Sequence, residues 1–518
     1  MFSRHPKTSF FSLDHTILGD CNMGDLVPVL CLDVMPGDHF NMSTHHLIRF
    51  MPMITPVMHP IDVYFHYYFV PNRLIWDDWE TFITQSVHGK YIGHETEIKN
   101  IVPPYIRPPS GGFGLHSVAD YLNINPTVSG NVIVSALPFR AIDLIWNEWY
   151  RQQDIQEEIT INRSSGQDTT TSTALKKRNW NRDYYTSALP YAQKGPAVTF
   201  SLGSRAPVLG LGTASTNVFG TNSNVHFSDG TSVASYHSTA VGGPSGSGTN
   251  YFIAGENAAH PGYPDIYADL SGVSGFTVND IRQAFQIQRY LEKNARCGSR
   301  YVEFILSHFG VRSSDARLQR PEYLGGKKTP VVVSEVLQTS SSDSTTPQAN
   351  MAGHGFSASS GNRIKYTFEE HGFVICLMSV MPRTLYQNGI PRRYAVTSSP
   401  YDYFSPEFGH LGEQGIYSKE LYADGTADDN TVFGFQPHGE HLRREPSHVC
   451  GEMRDKLLPW HMSRNFSSRP LLNDSFLKCD ATNRIFADTS AGASHVLFEI
   501  YHDITARRPM PKHGIPGY

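Results

Sequence analysis

Histidines that lie close together are the first residues in this chain that could bind a metal ion. They form two groups, the adjacent pair His45 and His46 and the stretch HGEH at 438–441. Because the chain contains 24 histidines, two of them three positions apart are expected by chance. We therefore favour the interpretation that these histidines lie at the surface or in an interface over the alternative that they bind a metal ion. We predict neither a metal site nor a bound cofactor.

Motifs that would indicate catalysis are also missing from the sequence. It contains no GxxxxGK[ST] phosphate-binding loop, no GxSxG nucleophile turn and no HExxH zinc motif. The stretch GGKK at 325–328 lacks the leading glycine and the hydroxyl residue of a phosphate-binding loop. Adjacent carboxylates at 77–78 and 428–429 point in different directions on a helix or a strand, so neither pair is an acid/base couple. The sequence predicts that the protein is not an enzyme.

Basic residues near the two ends of the chain are the candidates for contact with a nucleic acid. They are Arg4, Lys7, Arg507, Arg508 and Lys512. We expect them to lie in short arms outside the strands, where they can reach phosphate groups. Nearby aromatic residues, among them Phe10 and Phe11, could stack on unpaired bases or serve only as anchors. Salt bridges between subunits are the alternative role for these basic residues.

The composition of the 518 residues limits the class of protein. Hydrophobic residues make up 39% of the chain and charged residues 18%, while 43 glycines and 33 prolines favour turns and loops. The net charge of −5 is unlike that of a polybasic nucleic-acid binder. No apolar run is long enough for a membrane span, and the first residues do not read as a signal peptide. We expect a globular protein without membrane insertion, made in a cytoplasm with its six cysteines reduced.

Five apolar stretches have the length and the pattern of β-strands. They are 26–34, 61–69, 330–337, 373–381 and 496–504. In the second, alternate residues from Ile61 to Phe69 are apolar, which predicts a strand with one apolar face. The turn PGD at 36–38 closes the first strand. Because strands open and close the chain, the first and the last are predicted to share one β-sandwich of Greek-key type.

Three helices are predicted between these strands. The first begins at Asn72 and can end at Gly89, the second starts at Pro138, and the third begins at Thr277 with Gly298 past its end. Four tryptophans at helical spacing with aliphatic neighbours are predicted to pack in the core or in a subunit interface. They are Trp76, Trp79, Trp146 and Trp149. The sandwich is therefore expected to carry large insertions with helices.

The stretch from Ala206 to Ile281 contains no lysine or arginine and is rich in glycine, serine, threonine and asparagine. This composition is typical of a disordered linker. The stretch also contains many aromatic residues, and these favour a folded surface excursion with its own small core. Four of them are Phe227, Tyr236, Tyr251 and Phe252. We predict the folded excursion.

Four long stretches resemble one known family, in the same order along the chain. They are 49–83, 289–326, 408–422 and 495–518, which begin RFMPMITPVMHP, RYLEKNARCGSR, FGHLGEQGIYSK and HVLFEIYHDITA. These stretches are similar to the major capsid proteins of the gokushoviruses, a branch of the Microviridae. Those viruses are small bacteriophages with single-stranded DNA. The matching stretches bracket almost the whole chain.

The resemblance implies a mainly β fold, namely an eight-stranded viral jelly-roll β-sandwich with large loop insertions that contain several helices. Residues 1–518 would form a single jelly-roll domain with terminal arms at 1–20 and 505–518. The inserted surface protrusion would cover 198–276 and form a spike at a three-fold axis. Its aromatic residues Phe227, Tyr236, Tyr251 and Phe252 would then be candidates for contact with a receptor.

The resemblance also implies what the protein assembles with. Copies of the chain would form pentamers and then a small T=1 icosahedral shell around a circular single-stranded DNA genome. Other partners would be a small basic packaged DNA-binding protein, the scaffolding and pilot proteins of the same virus, and a host cell-surface receptor. The protein would be found in the virion, after assembly in the cytoplasm of the host bacterium.

A second class of function also agrees with the β pattern and the aromatic content. This alternative is a secreted β-sandwich protein that binds glycans, or a glycosidase. It predicts a signal peptide and, for a glycosidase, two carboxylates about 5–10 Å apart in a cleft. The first residues do not read as a signal peptide, and the sequence does not pair two carboxylates.

Overall fold

The computed structural model describes most of the chain. The described residues are 8–84, 86–87, 90–91, 101–196, 208–209, 211–213, 225–227, 267–268, 278–297, 306–307, 319–337, 339, 351–361, 363–395, 400–490 and 492–512. The chain divides into two compact units. One is formed by Met1–Ala192 and Cys297–Tyr518, and the other by Gln193–Arg296.

Two antiparallel β-sheets dominate the larger unit. The strands used below are β1 (Ser9–Ser12), β2 (His15–Cys21), β3 (Asp25–Val34), β4 (His39–Phe50), β5 (Ile61–Pro71), β6 (Lys176–Lys177), β7 (Glu322–Pro330), β8 (Val332–Leu337), β9 (Met351–Ser359), β10 (Ile364–Thr367), β11 (Gly372–Pro382), β12 (Glu413–Tyr417), β13 (Val432–Pro437) and β14 (Val496–Arg508). A seven-stranded sheet contains β1, β2, β4, β8, β9, β10 and β14, and a five-stranded sheet has the order β6-β3-β11-β5-β7. The strands β12 and β13 form a separate hairpin.

Eight of these strands pair in a nested order. The strand β2 pairs with β14, β3 with β11, β4 with β10, and β5 with β7. The first of these eight strands in the sequence thus pairs with the last, the second with the seventh, the third with the sixth, and the fourth with the fifth. Nested pairing divided between two facing sheets is the topology of a jelly roll. The eight-stranded jelly roll that the resemblance implies is confirmed.

The strand boundaries follow from the hydrophobic pattern. In β14 every second side chain is buried up to Ala506, as expected for a strand with one face in the core. In β11 all residues are buried, because both faces of the five-stranded sheet are covered there. The predicted strand at 330–337 is divided between β7, which ends at Pro330, and β8, which begins at Val332. The predicted turn at 36–38 is present, with Gly37 at a φ of 88°.

One hydrophobic core lies between the two sheets. The buried side chains of Val29 on β3 and Phe498 on β14 both belong to it. A polar contact also crosses this core, because Nε2 of the buried His502 lies 2.8 Å from the backbone oxygen of Val29. The predicted strands at 26–34 and 496–504 therefore belong to the same sandwich.

A second core covers the outer face of the five-stranded sheet. The helices of the larger unit are α1 (Trp79–Thr84), α2 (Val118–Tyr121), α3 (Leu137–Ile145), α5 (Ser418–Leu421) and α6 (Asp474–Leu477), and α4 (Val278–Cys297) begins in the smaller unit. Apolar side chains of α3 pack with Val70 of β5 and Ile375 of β11. After α3 the chain continues as a π-helical turn, Trp146–Tyr150. This turn ends the predicted second helix.

The first predicted helix and one of the tryptophans differ in part from the prediction. The expected helix at 72–89 is a 3-10 turn at Asn72–Leu74 followed by α1. Trp76 and Trp146 are buried as predicted. Trp149 is 38% exposed, so it does not pack in the core, and the predicted alternative of packing in a subunit interface stays a prediction for it. The π-helical turn shifts its side chain away from the buried stripe of α3.

The remaining elements are short. Two-stranded pairs join Ser86–Val87 to Lys90–Tyr91 and Tyr105–Ile106 to Val134–Ser135. Further 3-10 turns are Arg392–Tyr394, Pro400–Asp402, Pro406–His410, Ala427–Asn430, Glu440–Leu442, Gly451–Arg454 and Leu458–Trp460. No helix among the described residues is long and apolar enough to cross a membrane.

The smaller unit contains most of α4 and two short strand pairs. Val208–Leu209 pairs with Tyr267–Ala268, and Leu211–Thr213 pairs with Val225–Phe227. The third predicted helix is confirmed by α4, which begins directly after the predicted capping residue. Most of the predicted protrusion at 198–276 lies outside the described residues.

Candidate nucleic-acid interface

The terminal arms predicted from the sequence are partly strands. Within 1–20, β1 and most of β2 pair with β14 in the seven-stranded sheet. Within 505–518, the first four residues are the end of β14. The prediction of arms is wrong for these segments, because their alternating side chains complete the wall of the sandwich.

The five basic residues predicted to contact a nucleic acid are therefore in different surroundings. Arg4 and Lys7 lie outside the described residues. Arg507 and Arg508 are the last two residues of β14, and Lys512 is exposed four residues further on. Because successive side chains of a strand point to opposite faces, the two arginines cannot share one role.

Arg508 points towards other parts of its own chain. Its Nη2 donates to the backbone oxygen of Asp33 at 2.8 Å, and its Nε lies 3.6 Å from the buried carboxylate of Asp38. The guanidinium also lies over the ring of Phe40, 5.2 Å from its centre. Burial raises the pKa of Asp38, and the positive charge of Arg508 partly offsets this effect. These contacts give Arg508 a structural role.

Arg507 points to the opposite side, into solvent. Its neighbours across the strands are Phe10 of β1 and His39 of β4, and residues paired directly in antiparallel strands point to the same face. Phe10 is 68% exposed. Nε of Arg507 donates to Oγ1 of Thr8 at 3.0 Å. A guanidinium beside an exposed aromatic ring is suited to a phosphate and an unpaired base.

The same face of β14 carries further charged and aromatic side chains. We call it the β14 face; its residues on this strand are Leu497, Glu499, Tyr501, Asp503, Thr505 and Arg507. Tyr501 is 41% exposed, and its ring centre is 5.9 Å from that of His45. Arg49 is the partner of Leu497 in the next strand. The exposed Lys365 pairs with Asn41, the partner of Thr505.

The β14 face carries two acidic side chains, and one of them is partly neutralised. Asp503 lies 3.7 Å from Nη2 of Arg363, which is itself exposed. Glu499 is exposed on the same strand. Positive charges spaced among exposed rings can hold an extended polyanion weakly and without reading its sequence.

The histidines first considered for metal binding make other contacts. His438 stacks on Phe404 with ring centres 5.9 Å apart. Glu440, which lies between the two histidines of the HGEH stretch, binds Arg443 and Arg444. His46 packs inside the sandwich near Phe65. Among the described residues no group of three or more metal-ligating side chains is present.

Sequence reasoning missed a group of arginines and aromatic rings on the other sheet. Trp149, Tyr323 and Arg178 line a cavity beside β5. They come from stretches that are far apart in the sequence, and no motif links them. The partial exposure of Trp149 draws attention to this group, and that exposure is known only from the folded structure.

The aromatic residues predicted as receptor contacts are largely outside the described structure. Phe227 is the last residue of the short strand Val225–Phe227. Tyr236, Tyr251 and Phe252 lie outside the described residues.

Comparison with known proteins adds the decisive finding. Residues 2–518 match the model of a family described as capsid protein (F protein). The chain belongs to this family. The protein is therefore a structural component of the virion and not an enzyme, and copies of it assemble into a shell around the viral genome. The predicted resemblance is confirmed, and the alternative of a glycosidase is excluded.

The sequences of individual relatives align with this chain over nearly their whole length. The chain is 34% identical to capsid protein VP1 of Chlamydia phage 1, covering 99% of this chain and 96% of that protein. It is also 34% identical to capsid protein VP1 of Bdellovibrio phage phiMH2K, with 99% and 98% covered. Capsid protein VP1 of Spiroplasma virus 4 is 32% identical, with 99% and 96% covered.

Proposed function

We propose that the protein assembles through pentamers into a T=1 icosahedral shell around a circular single-stranded DNA genome. The observation that carries this proposal is the nested eight-stranded sandwich in a chain that matches capsid proteins from end to end. Identical copies form closed shells when each presents several different contact surfaces. The low charged fraction of 18% and the long insertions suit a chain that covers much of its surface with neighbours.

The β14 face is proposed to contact the DNA. Arg507 supplies positive charge there, with Phe10 and Tyr501 as stacking surfaces, and Lys512 is added because it is exposed four residues after the strand. Arg4 and Lys7 are added to this set because their segment leads into β1, the strand that pairs with Arg507. Arg508 is left out because its guanidinium is already bound within the chain. A net charge of −5 requires further neutralisation, which the small basic packaged protein would supply.

Residues 198–276 are proposed as the surface protrusion of the single jelly-roll domain and as the site of host attachment. The support comes from the absence of lysine and arginine between Ala206 and Ile281 and from the loop-forming composition of that stretch. The stretch also lies within the long connection between β5 and β7. Phe227, Tyr236, Tyr251 and Phe252 remain candidate receptor contacts.

Further partners complete the proposed assembly. Scaffolding and pilot proteins of the same virus would act during assembly in the bacterial cytoplasm. Their contact surfaces are assigned to no residue of this chain.

Electron microscopy of the purified protein tests the assembly. We expect closed shells of one small size, and nuclease digestion of shells formed with single-stranded DNA should leave protected DNA inside. Open sheets, tubes or particles of several sizes would contradict the T=1 arrangement. Shells that protect double-stranded DNA equally well would contradict the choice of genome.

A further inference from the structure

A cavity of about 360 Å³ opens on the outer face of the five-stranded sheet. Its wall contains residues of β5 and β7, the end of the π-helical turn Trp146–Tyr150, and the segment 178–182. This volume is within the range of sites that hold one small ligand. The described residues that line it include three arginines and no carboxylate. We call it the arginine–aromatic pocket.

One of these arginines, Arg182, has donor groups available for a ligand. Arg151 is mostly occupied within the chain, because its Nη1 donates to the backbone oxygen of Gln156 at 3.4 Å and its Nη2 lies 3.6 Å from the exposed Glu158. Arg182 is exposed and donates from Nη2 to Oε1 of Gln152 at 2.9 Å. The pocket therefore offers a guanidinium group to a negatively charged group.

The third arginine is fixed against the sheet. Nη1 of Arg178 donates to Oγ of Ser379 at 2.9 Å, and the guanidinium lies 4.2 Å from the ring centre of Tyr64. The neighbouring His66 contributes no positive charge at neutral pH, because burial and Arg178 lower its pKa to about 3. The charge of the pocket thus comes from guanidinium groups, which stay protonated at all ordinary pH values.

Three aromatic rings form the remaining part of the wall. The ring centres of Tyr68, Trp149 and Tyr323 are 5.5–5.7 Å from one another. Trp149 is 38% exposed and Tyr323 42% exposed, so each ring keeps surface that the chain does not cover. Arg320 lies over Trp149, 5.3 Å from its centre. Exposed rings beside guanidinium groups favour a ligand that is both flat and negatively charged.

We propose that the arginine–aromatic pocket binds one nucleotide of single-stranded DNA. The base stacks on Tyr323 and Trp149, and the phosphate is held by Arg182. The amide of Asn179 cannot read the base, because its Nδ2 already donates within the chain. Stacking on a ring accepts every base, so we expect binding to be independent of base identity. This proposal rests on the proposed function, which places single-stranded DNA inside the shell.

Binding of short oligonucleotides to the full-length, unassembled protein tests the pocket. The probe is a fluorescein-labelled pentathymidylate, read by anisotropy at several salt concentrations. Tyr323→Ala should weaken binding about 5- to 150-fold through lost stacking. Arg182→Gln should weaken binding and lower the slope of log K against log salt by about 0.7.

Matched variants and probes separate the explanations. Tyr403→Ala and Arg107→Gln remove an exposed ring and an exposed arginine that do not line the pocket, and both should bind as the wild type does. An abasic pentamer of equal charge should bind the wild type as weakly as pentathymidylate binds Tyr323→Ala. If that substitution prevents folding, Tyr323→Phe, which keeps the ring, and Arg182→Gln still decide the question.

Several results would overturn the proposal. Equal binding of the abasic and the thymidylate pentamers would show an anion site without a base. Binding of pentaglutamate as tight as that of pentathymidylate would show a site for an acidic protein segment. Pocket variants that form shells and bind pentathymidylate like the wild type would also refute it. Absence of shells from the wild-type protein would refute the proposed function instead, whatever the pentamer measurements give.

Discussion

Replacing Arg507 and Arg508 one at a time by alanine should affect two different properties of the protein. Arg508 neutralises the carboxylate of Asp38, whose side chain is fully buried, and it also binds the backbone oxygen of Asp33. Removal of one partner from a buried ion pair costs about 3–5 kcal/mol. Because Arg508 is 19% exposed, we expect Arg508→Ala to lower the free energy of unfolding by about 3 kcal/mol.

Arg507→Ala should change stability by no more than about 0.5 kcal/mol, because Arg507 is exposed and donates to one hydroxyl group, that of Thr8. Its effect should be on DNA. The slope of log K against log salt for binding to a long single strand should fall by about 0.7. Shells should still form and should contain less DNA.

Denaturant unfolding of the unassembled protein and salt-dependent DNA binding measure the two effects separately. Arg107→Ala, at an exposed arginine far along the chain from β14, is the control for non-specific loss of positive charge. Our reasoning would be refuted if Arg507→Ala destabilised the fold as much as Arg508→Ala. It would also be refuted if the loss of DNA binding followed Arg508 in protein that remains folded.

Three further changes test other parts of the structure. Deletion of 225–260 should leave shell formation intact and alter attachment to cells, as measured by electron microscopy and a cell-binding assay; loss of particles with attachment unchanged would contradict the protrusion. Trp76→Ala should cost about 3–5 kcal/mol in denaturant unfolding because Trp76 is buried, whereas the exposed Trp149→Ala should cost clearly less, and equal costs would be inconsistent with the fold. Burial lowers the pKa of His502 to about 4 in the folded state, whereas a histidine in the unfolded chain has a pKa near 6.5. Between these two values the unfolded chain binds a proton that the folded protein does not. The contribution of this histidine to stability is complete above pH 6.5 and is lost towards pH 4, at up to about 1.4 kcal/mol per pH unit. The free energy of unfolding, measured at pH 7 and pH 5, should change less with pH in His502→Gln than in the wild type. The same substitution at the exposed His410 is the control and should leave this pH dependence unchanged. If both variants kept the pH dependence of the wild type, this role of His502 would be refuted.

The core strands could be predicted because their signal is local. Apolar and polar residues alternate along β5 and β14, and β11 is one continuous apolar run. Both patterns arise because the apolar side chains are buried away from water. The break between 3-10 turn and helix at 72–84 could not be predicted in the same way. The spacing of apolar residues indicates which side chains face the core. Whether the backbone continues as one helix or breaks into a 3-10 turn and a helix depends on packing against residues that are distant in the sequence.

The candidate sites were predictable only in part. Exposure of Arg507 and Lys512 agrees with the expectation of a basic surface near the chain end. The structural role of Arg508 depends on Asp38, which is distant in the sequence and becomes its neighbour only when β4 pairs with β14. The arginine–aromatic pocket was not predictable, since Arg178 and Tyr323 approach each other only across the folded sheet.

The amino-acid sequence by itself determined the family, the β-rich class and the positions of the main strands, because long matching stretches and hydrophobic alternation are properties of consecutive residues. It also determined that no catalytic motif is present. Only the tertiary structure decided which of two adjacent arginines faces solvent, and that Trp149 belongs to an open pocket and not to the core. The physical reason is that strand pairing over hundreds of residues sets which face of each strand is covered, and this pairing leaves no signal in any short stretch of sequence.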